Sequence, residues 1–328
     1  MLNNAFINKG VNTSLKGDGL IQSSVNSLLR QQSSASLLQR GRQKIRAPQA
    51  GQHLSVYKGR GMDFAESRAY MAGDDIRAMD WKVTARTGIP HTKIFQEERE
   101  RPILIWTDLR PPMFFATRGR FKSVMATEIA SLLIWKSWLD GDRAGGMIIG
   151  AEQHIEVRPA RSKAKVLQLL QHLADYSQQL AHHATLHHVS TQSESLAQSW
   201  KRLRRVTSSG SQVFIISDFR GLNNGAEKQL LSISRHAAIS LIQISDPFEQ
   251  QLPKTQQIKK QRFSLTNGQR FLRLNFANKK TRAQYQHNKQ QLSEQLMQLT
   301  NKTKAKLIHI STKDSDNQRL MKLSGGAI

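Results

Sequence analysis

Carboxylates and arginines are concentrated in one stretch of this chain, residues 59–108, more densely than anywhere else in the sequence. Four of its carboxylates are of the types that collect a divalent ion in metal-dependent hydrolases and nucleases: Asp74, Asp75, Asp80 and Glu98. Three arginines lie near them in the sequence: Arg68, Arg77 and Arg86. Guanidinium groups neutralise carboxylates through parallel hydrogen bonds. We therefore expect a structural lattice of ion pairs, with Tyr70 and Trp81 as apolar anchors, and keep the metal site as the alternative.

The secondary-structure elements that position these residues can be predicted from the hydrophobic pattern. The apolar run at residues 103–106 predicts a buried strand that ends at Asp108. The predicted strands are 103–108, 142–149, 213–217, 239–245 and 306–310, with an antiparallel edge candidate at 154–157 and two further strands at 261–265 and 270–274. The predicted helices are 76–81, 119–139, 163–179, 195–206, 226–236 and 282–300. We also expect residues 92–97 to extend into the first core strand. The alternation indicates parallel βαβ units and a doubly wound, mostly parallel α/β sheet, with Asp108 at its ligand-binding edge.

The charged stretch also has a specific order of residues. It contains, in sequence, Gly61, Asp63, Phe64, Arg68, Tyr70, Gly73, Asp74, Asp75, Arg77, Asp80, Trp81, Ala85 and Arg86. This long spacing resembles the signature of the bacterial domain-of-unknown-function family 58, and the resemblance runs from about residue 55 to the C-terminus. It implies a von Willebrand factor A-like α/β domain after the signature. It also implies a link to MoxR-type AAA+ ATPases, as a partner or adaptor rather than as an enzyme.

The implied fold carries a metal-ion-dependent adhesion site at the carboxyl edge of its sheet, built from Asp-x-Ser-x-Ser, a threonine and a later aspartate around Mg²⁺ or Mn²⁺. Asp108 and Asp218 match the two aspartates, but Arg110 and Pro112 stand where serines belong. Neither has a side-chain oxygen. The threonine loop would fall at residues 185–191, which lack the expected Gly-Gly-Thr. We expect a degenerate site without metal, with Mg²⁺ on Asp108 and Asp218 as the weaker alternative.

Arginine is the expected replacement for the missing ion. Arg110 would pair with Asp108 or Asp218 and present positive charge to a carboxylate of a partner, and Arg220 is the second source of charge at this edge. The predicted partner-binding residues are thus Asp108, Arg110, Asp218 and Arg220. The sequence has no phosphate-binding glycine loop, no Gly-x-Ser-x-Gly and no His-Glu-x-x-His. We therefore predict no catalytic residue and expect a protein that is not an enzyme.

Composition limits the partners and the compartment. The 328 residues carry a formal net charge of +25, which favours an acidic protein or an anionic surface. Basic and aromatic residues alternate at 254–306, as in some single-strand binders, but nucleic acid is not the expected partner. There is no cysteine, and no apolar run approaches the ~20 residues that span a membrane. We expect a cytoplasmic protein, peripheral to the inner membrane through its partners.

Three segments are predicted: a flexible or partly helical N-terminal tail at 1–46, a signature segment at 47–100 packed on the core, and the von Willebrand A-like domain at 101–328. The expected role is that of an interaction protein or adaptor. Its expected partners are a MoxR-type AAA+ ATPase and a further von Willebrand A or membrane protein, in the assembly or maturation of a protein complex. The alternative is a metal-dependent hydrolase or nuclease that uses the signature carboxylates.

Overall fold

The computed structural model describes residues 18–38, 62–97, 100–185, 195–250, 263–266, 271–274 and 279–325. The strands are β1 (Met62–Ala69), β2 (His91–Glu97), β3 (Pro102–Asp108), β4 (Arg143–Ile149), β5 (His154–Ala160), β6 (Gln212–Ser217), β7 (Ala238–Ser245), β8 (Phe263–Thr266), β9 (Phe271–Leu274) and β10 (Lys306–Ser311). The helices are α1 (Val25–Leu29), α2 (Gln31–Ser36), α3 (Trp81–Thr87), α4 (Lys122–Leu139), α5 (Lys163–Thr185), α6 (Leu196–Val206), α7 (Asn224–Ser234), α8 (Pro247–Gln250), α9 (Lys279–Thr303) and α10 (Asp316–Gly325). Within these ranges, no helix combines the length and the apolar character needed to cross a bilayer.

The chain divides into two compact units, one formed by residues 1–45 and 101–328 and the other by residues 46–100. The larger unit is built on a six-stranded sheet in the order β10-β7-β6-β3-β4-β5, in which only β5 runs antiparallel to its neighbour. With β3 counted as the first strand, this is the strand order of a doubly wound sheet. The predicted α/β class, with a mostly parallel sheet and an antiparallel strand at its edge, is therefore confirmed.

The sheet is buried on both faces because its parallel strands are apolar at nearly every position. On one face Ile105 and Phe214 pack in a cluster with residues of α4 and α5. On the other face Trp106 and Ile215 pack with α6, α7 and α9. Helices thus cover both faces of the sheet, and polar side chains collect at the carboxyl ends of its strands.

Residues 18–38 belong to the larger unit and are packed into its core. Leu28 is fully buried, and its carbonyl oxygen accepts hydrogen bonds from Ser131 Oγ (2.7 Å) and Trp135 Nε1 (3.3 Å) of α4. The N–H of Ser23 donates to Ser177 Oγ of α5 at 3.0 Å. The part of the predicted tail that the structure describes thus contains two short helices that cover α4 and α5.

The smaller unit is a hairpin with a short helix. β1 and β2 pair antiparallel, with a shift in register between Phe64 and Glu66. Residues 92–97 therefore form the second strand of this hairpin, and the prediction that they extend into the first core strand is wrong. The helix predicted at 76–81 is also displaced. A single 3₁₀ turn, Ile76–Ala78, ends at the extended Met79, and Asp80 caps a new helix, α3.

Candidate functional site at the carboxyl edge of the sheet

Four parallel strands end in hydroxyl or carboxylate side chains at one edge of the larger unit. β3 ends at Asp108, β6 is followed by Asp218, β7 by Asp246 and β10 by Thr312. Because neighbouring parallel strands end at the same edge, these side chains lie in one region. All four are almost completely buried, so each needs a partner inside the protein.

Asp108 is paired with Arg110, two residues further along the chain. The Arg110 guanidinium donates from Nε to Asp108 Oδ1 at 2.9 Å and from Nη2 to Oδ2 at 2.8 Å. Its own N–H also donates to Oδ1, at 3.1 Å. Ser217 of β6 completes the set by donating from Oγ to Asp108 Oδ2 at 2.6 Å. The pairing of Arg110 with Asp108 is one of the two that the sequence predicted, but Arg110 is only 7% exposed and points its charge inward.

Asp218 is paired with Lys122, the first residue of α4. Because α4 follows β3, the helix begins at the carboxyl edge and its first side chain reaches the strand ends. Lys122 Nζ lies 2.7 Å from Asp218 Oδ2 and 2.9 Å from Glu249 Oε1, and the whole side chain is inaccessible to solvent. It also lies over the ring of Phe115, 5.7 Å from the centroid. A buried ammonium is thus held by two carboxylates and an aromatic face.

Glu249 connects this buried pair to the surface through Arg220. Arg220 Nη2 lies 2.5 Å from Glu249 Oε1, and its backbone N–H donates to Asp218 Oδ1 at 3.0 Å. Its side chain is 48% exposed. Of the two arginines predicted to carry charge at this edge, Arg220 is therefore the one that a partner can reach.

The turn that places Asp218 and Arg220 depends on Phe219. Phe219 has a left-handed backbone (φ 59°), a costly conformation for a bulky residue. Its ring is fully buried beside Trp200, with the centroids 6.4 Å apart. Its N–H donates to Ser217 Oγ at 2.8 Å. Burial and this hydrogen bond hold the turn in place and so fix the direction of both charged neighbours.

Asp246 is satisfied by uncharged donors. Its carboxylate accepts from the N–H (2.9 Å) and the hydroxyl of Thr117, from the Phe248 N–H (2.9 Å) and from Thr312 Oγ1 (2.9 Å). These contacts join the loop before α4, the loop after β7 and the end of β10. Burial alone would raise the pKa of Asp246, but the hydrogen bonds outweigh it and hold the pKa below 3.8.

Asp218 is also an ionised carboxylate at neutral pH. Burial would raise its pKa, but the positive charge of Lys122, then that of Arg220, and the hydrogen bonds from both lower it below 3.8. The carboxyl edge is thus a set of buried anions, each matched by a cation or by hydroxyl and N–H donors.

The donor set at this edge does not fit a divalent cation. The oxygens of Asp108 that would bind Mg²⁺ accept from Arg110 and Ser217, and those of Asp218 face Lys122 and Arg220. Mg²⁺ requires a near-octahedral shell of oxygen ligands, and two buried cations already hold the available ones. In the described ranges no three His, Asp or Glu side chains are gathered as a metal would require. The threonine loop expected at 185–191 lies outside these ranges from residue 186 onwards.

A groove of about 900 Å³ opens beside this edge, between the sheet and α9. Alternate residues of β7 face α9, and the apolar ones, Ile239 and Leu241, pack beneath it. The next two in the same alternation, Gln243 and Ser245, are polar and line the groove instead. Arg220 lies at the groove, and its other charged and polar lining residues include Glu249, Tyr285, Asn288, Lys289 and His309.

Sequence reasoning missed Lys122 and the whole Asp246 network. The sequence pattern places Lys122 only inside the predicted helix 119–139. One signal was present, because a lysine at the first position of a helix faces the positive end of the helix dipole. A cation there requires compensating anions, which Asp218 and Glu249 supply.

The described signature carboxylates Asp74, Asp75 and Asp80 of the smaller unit make separate contacts and do not form a cluster. Asp74 pairs with Arg68 (2.7 Å) and accepts from the Met71 N–H, and its pKa is lowered by these two bonds. Asp75 caps the 3₁₀ turn by accepting from the Arg77 N–H at 2.9 Å. Asp74 and Asp75 therefore stabilise the turns in which they lie.

Asp80 and Trp81 complete the signature at the start of α3. Asp80 caps the helix through the Val83 N–H (3.2 Å) and accepts from Ser67 Oγ. Trp81, predicted as an apolar anchor, is instead 67% exposed, because it occupies the first turn of a seven-residue helix. Tyr70 is half-buried, Gly73 has a positive φ (107°) in the turn, and Arg86 lies in the last turn of α3. Gly61, Glu98 and the side chains of Asp63 and Phe64 lie outside the described residues.

Comparison with known proteins gives relatives without an assigned function. The chain is 30% identical over 219 residues to the uncharacterized proteins Mb1516 of Mycobacterium bovis and Rv1480 of Mycobacterium tuberculosis. The alignment covers 65% of this chain and 64% of those proteins, so less than two thirds of their length is matched. Among solved structures, the conserved hypothetical protein BatB from Bacteroides thetaiotaomicron matches 69% of this chain and 98% of its own, with 13% identity and a TM-score of 0.42.

The family assignment rests on the signature and on the sheet that follows it. Residues 66–295, well over half of the chain, match the model of the family described as protein of unknown function DUF58. The match begins inside the signature, includes the strand ends at Asp108, Asp218 and Asp246, and ends within α9, before β10 and Thr312. The resemblance that the sequence suggested is confirmed, and this chain belongs to the DUF58 family.

Proposed function

We propose that this protein is a non-enzymatic adaptor that binds an acidic segment of a partner protein at the carboxyl edge of its sheet. The partner is a MoxR-type AAA+ ATPase, and the complex serves the assembly or maturation of a further protein, such as a von Willebrand A or membrane protein. In this proposal the adaptor works in the cytoplasm, peripheral to the inner membrane through its partners. The choice of ATPase rests on the family resemblance, and the choice of binding edge rests on the structure.

The observation that carries the proposal is the half-exposed Arg220, held at this edge by Asp218 and Glu249, which Lys122 fixes from inside. In the von Willebrand A-like fold that the resemblance implies, a metal ion at this edge draws in a carboxylate of the partner. Here the positive charge is built into the chain, so the edge needs no ion. Asp218 and Glu249 neutralise the ammonium of Lys122, so the charge that is open to a partner is that of Arg220.

Arg220 is the point of contact in this proposal, because it is half-exposed and already oriented by Glu249 and Asp218. A partner carboxylate that reaches Arg220 can form two parallel hydrogen bonds. Lys289, on the opposite wall of the groove, adds a second positive charge for an acidic segment. The amide and hydroxyl groups of the groove supply further hydrogen bonds to an extended peptide.

The test is a binding titration of a purified MoxR-type ATPase from the same organism against the full-length protein. Binding is expected to be equal in Mg²⁺ and in chelator, and to weaken with salt, since exposed ion pairs are screened over ~8–10 Å at physiological ionic strength. Arg220→Gln is expected to weaken it about tenfold, because a charge-assisted hydrogen bond contributes roughly 1.5–3 kcal/mol.

The matched control is Lys201→Gln, which removes an exposed positive charge from α6 without touching the groove. It is expected to bind like the wild type. Binding that disappears in chelator, or an equal loss in both variants, would show that the edge does not hold the partner in this way.

The hydrolase alternative is tested separately. The wild type and Asp75→Asn are incubated with nucleic acid and with model ester substrates in Mg²⁺ and in Mn²⁺. We expect no metal-stimulated cleavage from either. Cleavage by the wild type that is lost in Asp75→Asn would replace the adaptor with an enzyme.

A further inference from the structure

The opposite edge of the same sheet, where the parallel strands begin, has a second concavity of about 320 Å³. Three arginines line it: Arg143, Arg158 and Arg205. Pro102, Pro159 and Val206 form apolar walls between them. None of the described residues that line it is acidic or aromatic.

The three arginines come from three different elements that the topology brings together. Arg143 is the first residue of β4. β5 runs antiparallel to β4, so Arg158, near its end, returns to the edge where β4 begins. Arg205 is in the last turn of α6, the helix that leads into β6. The convergence is therefore fixed by the sheet and does not depend on a single loop.

Arg158 and Arg205 are exposed, so their guanidinium groups are accessible to a ligand in the concavity. Lys306, the first residue of β10, lies farther along this edge, and burial and then the charge of Arg101 lower its pKa below 10.5. Positive charge is thus gathered along this edge, and its field favours the binding of an anion.

We propose that this concavity binds a phosphorylated ligand, with a phosphate group held by Arg158, Arg205 and Arg143. Guanidinium forks match phosphate oxygens, and arginine is the residue type that binds them with two hydrogen bonds. A volume of about 320 Å³ is near the lower end for a ligand site, so a phosphorylated headgroup or a short polyphosphate fits and a nucleic-acid duplex does not. The described lining contains no aromatic ring, so it offers no platform on which a base could stack.

The probe is inorganic pyrophosphate, titrated into the full-length protein by calorimetry at constant ionic strength. The wild type is expected to bind it, and its melting temperature is expected to rise with ligand concentration, because a ligand of the native state stabilises that state. In the double variant Arg158→Gln/Arg205→Gln the affinity is expected to fall at least about tenfold, since two charge-assisted contacts are lost.

The matched control, Lys201→Gln/Arg204→Gln, removes two exposed charges from α6 that do not line the concavity. It is expected to stay within about twofold of the wild type, where only long-range attraction changes. All four positions are exposed, so both variants are expected to fold, and circular dichroism checks this. No binding by the wild type, or an equal loss in both double variants, would overturn the proposal.

A second experiment distinguishes a lipid headgroup from a soluble phosphorylated ligand. It measures sedimentation of the protein with phosphatidylglycerol vesicles and with phosphatidylcholine vesicles. Sedimentation with phosphatidylglycerol that pyrophosphate reverses, and that the Arg158/Arg205 variant loses, would identify a lipid headgroup. Binding of pyrophosphate without sedimentation would identify a soluble phosphorylated ligand. The site is at the edge opposite Arg220, so neither result bears on the proposed partner site.

Discussion

The two edges of one sheet treat charge in opposite ways. At the carboxyl edge Asp108, Asp218 and Asp246 are buried, and each has a complete set of donors. At the amino edge Arg158 and Arg205 stay in solvent and share a concavity in which no acidic residue is found among the described lining residues. A buried charge must be paired because desolvation costs several kcal/mol per ion, whereas water and salt screen an exposed one. The comparison indicates that the buried charges of the first edge are held by their partners and leave Arg220 exposed, whereas the second edge presents its arginines to solvent.

The largest expected effect is at Lys122. Lys122→Met should lower the free energy of unfolding by about 3–5 kcal/mol, because it leaves Asp218 and Glu249 without their buried partner. Urea unfolding at pH 7 measures this. Lys136→Met, in the same helix, removes a pair with Asp140 in an i, i+4 arrangement and should cost less than about 1 kcal/mol. If the two variants lose the same amount, the buried pair does not stabilise the edge.

Asp246 should show the next largest effect, with a defined pH dependence. Asp246→Asn replaces one of two acceptor oxygens with an NH₂ donor. It should lower the free energy of unfolding by about 1–3 kcal/mol at pH 7. The pKa of Asp246 is lowered in the folded state, so its contribution is present above pH 3.8 and is lost as the pH falls through the lower folded value. Urea unfolding between pH 7 and pH 3 should therefore show a shallower acid decline in the variant. Parallel declines would contradict the assignment.

At the amino edge a smaller effect of the opposite sign is expected. Arg158→Gln should change the free energy of unfolding by no more than about 0.5 kcal/mol, as exposed substitutions do. The change should be stabilising at low salt, because it relieves crowding of like charges, and should vanish near 1 M salt, where the screening length is about 3 Å. Unfolding at both salt concentrations provides the test. A loss above about 1 kcal/mol at either would mean that Arg158 has a structural partner.

The smallest expected effect is that of Mg²⁺ on the carboxyl edge. Melting curves in millimolar Mg²⁺ and in chelator should coincide, whereas a native-state ligand at 100 times its dissociation constant would add about 2.7 kcal/mol. Arg110→Ser restores a ligand oxygen and frees Asp108. Its melting curves in Mg²⁺ and in chelator are therefore the ones to compare with those of the wild type. A rise in the melting temperature of the wild type that Asp218→Ala abolishes would show that the edge binds metal after all.

Much of the fold followed from the sequence because hydrophobic runs of strand and helix length alternate from residue 103 onwards. The pairing of Arg110 with Asp108 was also within reach, since the two are separated by one residue. Lys122 and Asp218 are 96 positions apart, and Thr117 and Asp246 are 129 apart. No local pattern specifies which loops meet over a strand end, so these contacts could only be seen in three dimensions.

In the signature, residues that are close in sequence were expected to pair, and most of the described ones do not. Its arginines and carboxylates are close in sequence, and this proximity suggested a common lattice. In the structure Asp75 and Asp80 accept backbone N–H groups of their own turns, a task that depends only on position relative to the next helical residue. The residue type correctly indicated that Asp75 and Asp80 accept hydrogen bonds. Their donors are backbone N–H groups, not the arginines nearest in sequence.

The segment that covers α4 has a consequence for the order of synthesis. Leu28 is made 103 residues before Ser131, the residue whose hydroxyl binds its carbonyl oxygen. At 5–20 residues per second the ribosome needs roughly 5–20 s to add that length of chain. Throughout that interval Leu28 and Leu38, both buried in the finished protein, have no α4 to pack against. This segment of the larger unit must therefore wait for a helix encoded 103 codons later, and a chaperone that binds short apolar segments would find its target there.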